Sequence, residues 1–369
     1  MQNNSLAAAI ESKQFVVGGA VRDTILNSQD DYAIFPKDID YLMINTSDAE
    51  MRELYGEPIG ADFPVWLDEN GNEVALARVE RSIGDKTTDF TFTTDGVTLE
   101  DDLSRRDLTI NAMAVRRDDE QSFFMFGSIE SVIDPYNGMR DLQDRVLRHT
   151  TDAFAEDPLR VLRVARFYAR YHSLGFVVAK ETRELCEKMV ADGMLDALPK
   201  ERVWLETMKA LSEKNAHMYF SFLGQIGFCS QPRAAELMSL KHYNHMKFQG
   251  EETQLIGKWA AFDHRNRYTS KFGATKRFQK TSEILMQLNV LHVYDSSVVI
   301  ALQQLGAYKN GREFEVALSQ MNDVTKQSTL REIIAKTMIV RVDVEPGPQY
   351  GAAQLEKRML IAENILHCA

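Results

Sequence analysis

Asp38-Ile39-Asp40 sets two carboxylates two residues apart at the mouth of the apolar run Tyr41-Leu42-Met43-Ile44. In an extended segment residues i and i+2 share a face, so Asp38 and Asp40 can grip one hard cation or bridge two, while Ile39 turns into the core. Upstream, Phe15-Val16-Val17 runs into Gly18-Gly19-Ala20-Val21-Arg22-Asp23, an apolar strand followed by a glycine turn and the start of a helix. Backbone N–H groups at such a turn, with Arg22 on the first helical turn, suit a polyphosphate. A phosphate cradle followed by a metal clamp is the equipment of phosphoryl or nucleotidyl transfer to a hydroxyl. Glu73, at the start of Glu73-Val74-Ala75-Leu76, is the candidate for a third catalytic carboxylate.

The glycines fit neither a P-loop, which needs Gly-Lys-Ser/Thr after four intervening residues, nor the Gly-x-Gly-x-x-Gly dinucleotide fingerprint. In Leu103-Ser104-Arg105-Arg106-Asp107-Leu108-Thr109-Ile110-Asn111-Ala112, two arginines precede an amphipathic stretch. It can offer a cation to phosphate and Asp107, Thr109 and Asn111 to a ribose. Asp157-Pro158 opens a helix, with Asp at the N-cap and Pro at the first helical position. Asp157, Arg160 and Arg163 then fall at i, i+3, i+6 as one stripe opposite Leu159 and Leu162. Such a stripe is a salt-bridged exposed face or, in a cleft, a reader of nucleobase edges.

These groups need a scaffold, and the periodicities describe one. Up to about residue 148 short β-branched or aromatic runs alternate with turns, including a hairpin signal at Asp68-Glu69-Asn70-Gly71-Asn72. The segment 82–96 reads as a mobile loop or weak strand. From Thr151 the pattern is helical, with breaks near 224–232, 306–311 and 346–351. The fold class is therefore α+β at the N-terminal end and all-α after it. The 369 residues, 44% of them hydrophobic, suffice for two or more cores. The chain shows neither a long apolar span nor a signal-like start, and its three cysteines form no Cys-x-x-Cys pair, so a soluble protein of the reducing cytoplasm is expected. The net charge of -11 argues against a general polyanion binder. Yet between Lys241 and Lys280 basic residues interleave with Tyr243, Phe248, Trp259, Tyr268 and Phe272, which reads as a solvated face or an RNA-backbone patch.

Taken in order, Gly-Gly-Ala-Val-Arg-Asp with Asp38-x-Asp40, residues 105–112, Asp134-Pro135-Tyr136-Asn137-Gly138, residues 156–163 and Glu201-Arg202-Val203-Trp204 resemble the class II tRNA nucleotidyltransferases, the CCA-adding enzymes of the DNA polymerase β-like superfamily. The resemblance spans roughly residues 14–211. It implies a head with a mixed β-sheet flanked by helices (1–148), a helical neck for nucleobase recognition (149–215), and a helical body and tail for tRNA binding (216–369). It implies magnesium on Asp38 and Asp40, Gly19 and Arg22 at the triphosphate, and Arg106 at the nucleotide. Asp157 and Arg160 would be the protein template for cytosine or adenine, with Arg163 beside them. The implied reaction adds C, C and A to the 3′ end of tRNA from CTP and ATP, releasing pyrophosphate. A poly(A) polymerase, a CC- or A-adding enzyme, and a non-catalytic RNA-binding relative are the alternatives. Asp263-His264 reverses the His-Asp order of the phosphohydrolase module found in many relatives, so no such activity is expected of the C-terminal part.

Overall fold

The computed structural model describes residues 13–30, 38–59, 64–82, 90–243, 251–263, 265, 267–309, 312–321, 323–340 and 348–368. They fall into two compact units, residues 1–199 with 222–228, and residues 200–221 with 229–369. The unit boundaries thus differ from the expected steps at 148 and 215: the first neck helices pack with the head, and Lys200–Ser212 belongs to the second unit.

In the first unit, β1 (Gln14–Val17), β2 (Asp40–Met43), β3 (Val65–Leu67), β4 (Glu73–Leu76), β7 (Ala114–Arg116) and β8 (Val132–Ile133) form one sheet in the order β3-β4-β2-β1-β7-β8. The strands β5 (Val79–Ser82) and β6 (Phe90–Thr93) pair separately. β1 lies between β2 and β7, antiparallel to both, and β2 runs parallel to β4, so the sheet is mixed as expected. All four β1 residues are buried, as a central strand of this composition must be. The β3–β4 hairpin forms around Asp68, whose carboxylate accepts from the N–H groups of Asn70 and Asn72 and from the Asn72 side chain. Segment 82–96 contributes β6, and residues 83–89 lie outside the described residues.

Helix starts carry the chemistry their sequences announce. Ser47 with Glu50, and Thr98 with Asp101, form capping boxes for the helices Asp48–Tyr55 and Leu99–Ser104. Asp134 accepts from the N–H groups of Gly138 (2.7 Å) and Met139 (2.9 Å), which fixes the Gly138–Asp144 helix. The helix Leu159–Tyr171 starts after Pro158, with the Asp157 carboxylate accepting from Leu159 N–H at 3.1 Å. It buries Val161, Leu162, Val164, Ala165, Phe167, Ala169 and Tyr171.

Among the described residues the second unit is helical. Trp259, Phe262, Phe220 and Phe272 form an aromatic core, and Leu285, Leu288, Leu302, Leu330 and Ile333, with Phe314, a mainly aliphatic one. The break expected at 346–351 differs: Gly351 lies inside the helix Pro348–Cys368. No described helix is long and apolar enough to cross a membrane.

Candidate active site in the first unit

Asp38 and Asp40 stand exposed where β2 begins. Asp40 pairs across with Val17, the last residue before the Gly18 turn, so the carboxylates lie beside that turn. Glu73 opens β4, one residue before Val74, which pairs with Tyr41; it is therefore the neighbour of Asp40 on the adjacent strand, and it too is exposed. Partial desolvation first, then the charges of Glu73 and Asp38, push the Asp40 carboxyl above its usual range, against the pull of Arg106. Asp40 thus feels both other acids, although no group of three acidic, His or Cys side chains among the described residues stands close enough to form a ready metal cage. The exposed pair whose like charges repel fits a hard divalent cation, which needs oxygen ligands and keeps water in the remaining positions. Ile39 is half-buried and helps line a shallow cavity with Thr24, Asn27, Phe124 and Phe126.

The glycine turn differs from the expected cradle in detail. Gly18 adopts a φ of 71°, donates its N–H to the Met113 carbonyl at 3.2 Å and accepts from Arg22 N–H at 3.1 Å, so its backbone is spent on the fold. Arg22 is buried rather than presented to a phosphate. Its guanidinium donates to Asp23 (2.8 Å) and to the Asn111 side-chain oxygen, and lies over the rings of Phe167 and Tyr171. Asp23 is held in turn by Arg170 and Tyr171.

Asn111 donates to Asp107 at 2.8 Å, and Asp107 accepts from Arg163 Nε at 2.7 Å and from Leu108 N–H at 2.9 Å. Asp107 and Asn111 are buried, Asn111 in the short 3-10 turn Thr109–Asn111 and Asp107 just before it. Burial pushes the Asp107 carboxyl up, but Arg163 and the hydrogen bonds from Asn111 and Leu108 outweigh it and hold the pKa down at about 2. The chain Asp23–Arg22–Asn111–Asp107–Arg163 thus ties the glycine turn to the Leu159–Tyr171 helix. On that helix Arg160 is buried and donates to the Ala153 carbonyl, Arg163 is partly exposed, and Asp157 sits half-buried at its start.

Arg106 is the cation nearest in character to the expected phosphate ligand. Its Nη2 donates to Asp102 at 3.2 Å, while Nε is buried without a hydrogen-bond partner. Asp102 is a residue that the sequence reading missed. Its side chain is fully buried and accepts from Arg105 Nη2 (2.7 Å) and from Arg78 N–H (3.3 Å). Burial works against its charge, but Arg106 and Arg105 hold its carboxyl below the usual range. The available signal was its spacing, three and four residues ahead of two arginines at a helix end.

In the second unit, the described aromatics of the basic stretch do not face solvent, whereas Arg265, Arg267, Lys276 and Lys280 are exposed, as a solvated face requires. Trp259, Tyr268 and Phe272 are buried, and Lys258 is buried with its ammonium on the Leu211 carbonyl. Arg267 pairs with Glu236, and Arg277 with Glu313 and Glu252. Lys276 and Lys280 remain exposed, and Lys247 and Phe248 lie outside the described residues. The carboxylate oxygens of Asp263 accept from the N–H groups of Arg267, Tyr268 and Thr269 and from the Thr269 hydroxyl, which makes Asp263 a loop cap.

Residues 14–148 match the family described as the poly A polymerase head domain. The chain is 48% identical over 223 residues to a multifunctional CCA protein of Haemophilus influenzae, covering 59% of this chain and 49% of the relative. It is 47% identical over 217 residues to one of Alkalilimnicola ehrlichii, covering 58% and 48%. The chain thus spans about half the length of the curated relatives it matches. Its fold is that of solved CCA-adding enzymes: an apo form II (TM-score 0.66, 19% identity, 95% of this chain and 88% of that one) and a complex with CTP (0.62, 18%, 96% and 90%). A third is the Thermotoga maritima enzyme complexed with tRNA CCA (0.60, 17%, 96% and 90%).

Proposed function

We propose that this chain, whose head matches the poly A polymerase head domain, is a tRNA nucleotidyltransferase that adds CCA to the 3′ end of tRNA from CTP and ATP with release of pyrophosphate. The observation that carries the reading is the exposed carboxylate pair Asp38 and Asp40 beside the Gly18 turn, in a chain with close relatives named CCA proteins. The fold shared with a CTP-bound and a tRNA-bound CCA-adding enzyme supports the same substrates here.

Asp38 and Asp40 would hold a divalent cation, magnesium in our reading, with Glu73 as a third carboxylate nearby. When bound, the cation supplies Lewis-acid activation of the RNA 3′-hydroxyl and neutralisation of charge at the α-phosphate. Arg106 brings a guanidinium to the triphosphate and offsets charge as pyrophosphate leaves. Gly19 lets the backbone approach that triphosphate. Arg22 and Asn111, both buried, act by holding the turn and the Asp107 loop in place. Asp157, Arg160 and Arg163 read the base edge, a carboxylate acceptor beside guanidinium donors matching cytosine or adenine. Asp107 fixes Arg163 for that task. The helical remainder would carry the RNA.

The deciding assay supplies labelled CTP, ATP or both to tRNAs lacking A, CA or CCA at the 3′ end, with magnesium. Two C additions followed by one A are expected. ATP addition alone, without a stop after one residue and on unrelated RNA, would make the chain a poly(A) polymerase. Addition of only C or only A would narrow the activity to a partial enzyme. No incorporation, with tRNA still bound, would make it a non-catalytic relative.

A further inference from the structure

We propose that Gly18 acts as a positioning residue by leaving the space in which the Arg106 guanidinium sits, so that this arginine is delivered to the nucleotide triphosphate. The inference rests on the functional reading above but assigns Gly18 a different task from the backbone donor its motif suggests. Its N–H is already given to the Met113 carbonyl, so it is not left for a phosphate, and its carbonyl accepts from Arg22 N–H. The missing side chain, by contrast, is conspicuous. A Cβ on Gly18 would lie 2.8 Å from Arg106 Nη1, closer than a carbon and a nitrogen can stand. The guanidinium is the end of a flexible side chain and can yield, but any shift away from Gly18 alters its hold on Asp102, which accepts from Nη2 at 3.2 Å and is itself fully buried between Arg105 and the Arg78 N–H. The buried, unpartnered Nε of Arg106 shows that this pose is not set by its own hydrogen bonds alone. At Gly19 the corresponding space is less crowded: a Cβ there would stand 3.5 Å from Arg22 Nη2, an ordinary contact.

The test measures CTP and ATP affinity, and KM for CTP and for tRNA, in the full chain and in G18A, G18N, R106A and G18A/R106A. Asparagine accepts a positive φ more readily than alanine does but carries the same Cβ, so it separates backbone strain from the lost space. G18A and G18N should both weaken nucleotide binding about tenfold or more with the KM for tRNA unchanged. The double variant should bind nucleotide within about twofold of R106A, because a seat without its occupant has no further effect. Losses that multiply in the double variant, or normal nucleotide affinity in a folded G18N, would overturn the inference. If G18A fails to fold, G18N against R106A decides it. A wild-type chain that binds CTP but adds none to tRNA overturns the proposed activity instead, and the affinity cycle still judges the seat; one that binds no ribonucleoside triphosphate removes both.

Discussion

Partial desolvation, with the charges of Glu73 and Asp38, disfavours the ionised form of Asp40. Its folded pKa is raised, so the ionised form weakens the fold at any pH above the unfolded carboxylate value, and protonation relieves that. Asp40→Asn should therefore leave the thermal midpoint at pH 7 unchanged or higher while lowering incorporation by roughly two to three orders of magnitude; melting curves and the tRNA assay check the two halves. Asp107 has the opposite sign. Its folded pKa of about 2 lies below the unfolded value, so the stability it contributes is full at neutral pH and is lost as pH falls from about 4 towards 2. Asp107→Asn should cost about 2 kcal/mol at pH 7, and less at pH 3, by urea denaturation. The exposure of Asp38 and Asp40 was legible, but only Asp40 lies in β2, and Asp38 stands in a bend before it, outside the strand alternation expected of the pair. The burial of Arg22 and the anchoring acid Asp102 were not legible, because a sequence names a charged group without naming the partner that takes it out of solvent.

Individual elements followed their local signals where these were polar and short-ranged. The Asp68 turn sits where the sequence placed one, and the Leu159–Tyr171 helix starts one residue later than expected, with Pro158 at its N-cap and Asp157 accepting from Leu159 N–H. Within the amphipathic stretch 105–112, tertiary packing buries Thr109, Ile110 and Asn111 in a tight 3-10 turn. That turn makes a close passage with the Gly138–Asp144 helix. A Cβ on Gly138 would lie 2.3 Å from the Thr109 carbonyl oxygen and 2.9 Å from its carbon, and backbone on both sides leaves nothing flexible to yield. Gly138→Ala should thus destabilise the first unit by about 3 kcal/mol, read from chemical denaturation, whatever its effect on catalysis.

For the whole molecule, composition foretold enough apolar mass for more than one core, and two compact units are found, but not which cations would face solvent. Trp259, Tyr268 and Phe272, interleaved with lysines and arginines in sequence, fill the interior of the second unit, because helical periodicity sorts neighbours in the chain onto different sides. The path of the chain could not be read from any local pattern either: after residue 199 it enters the second unit, returns for 222–228, and leaves again. The returning stretch brings Phe222 against Tyr168 and under Arg183, and Gln225 to Arg183. The first unit is therefore assembled from two separate stretches of one chain. No single breakpoint divides the gene cleanly, and a chimera that grafts a foreign C-terminal half after residue 199 leaves the first unit missing one of its own pieces.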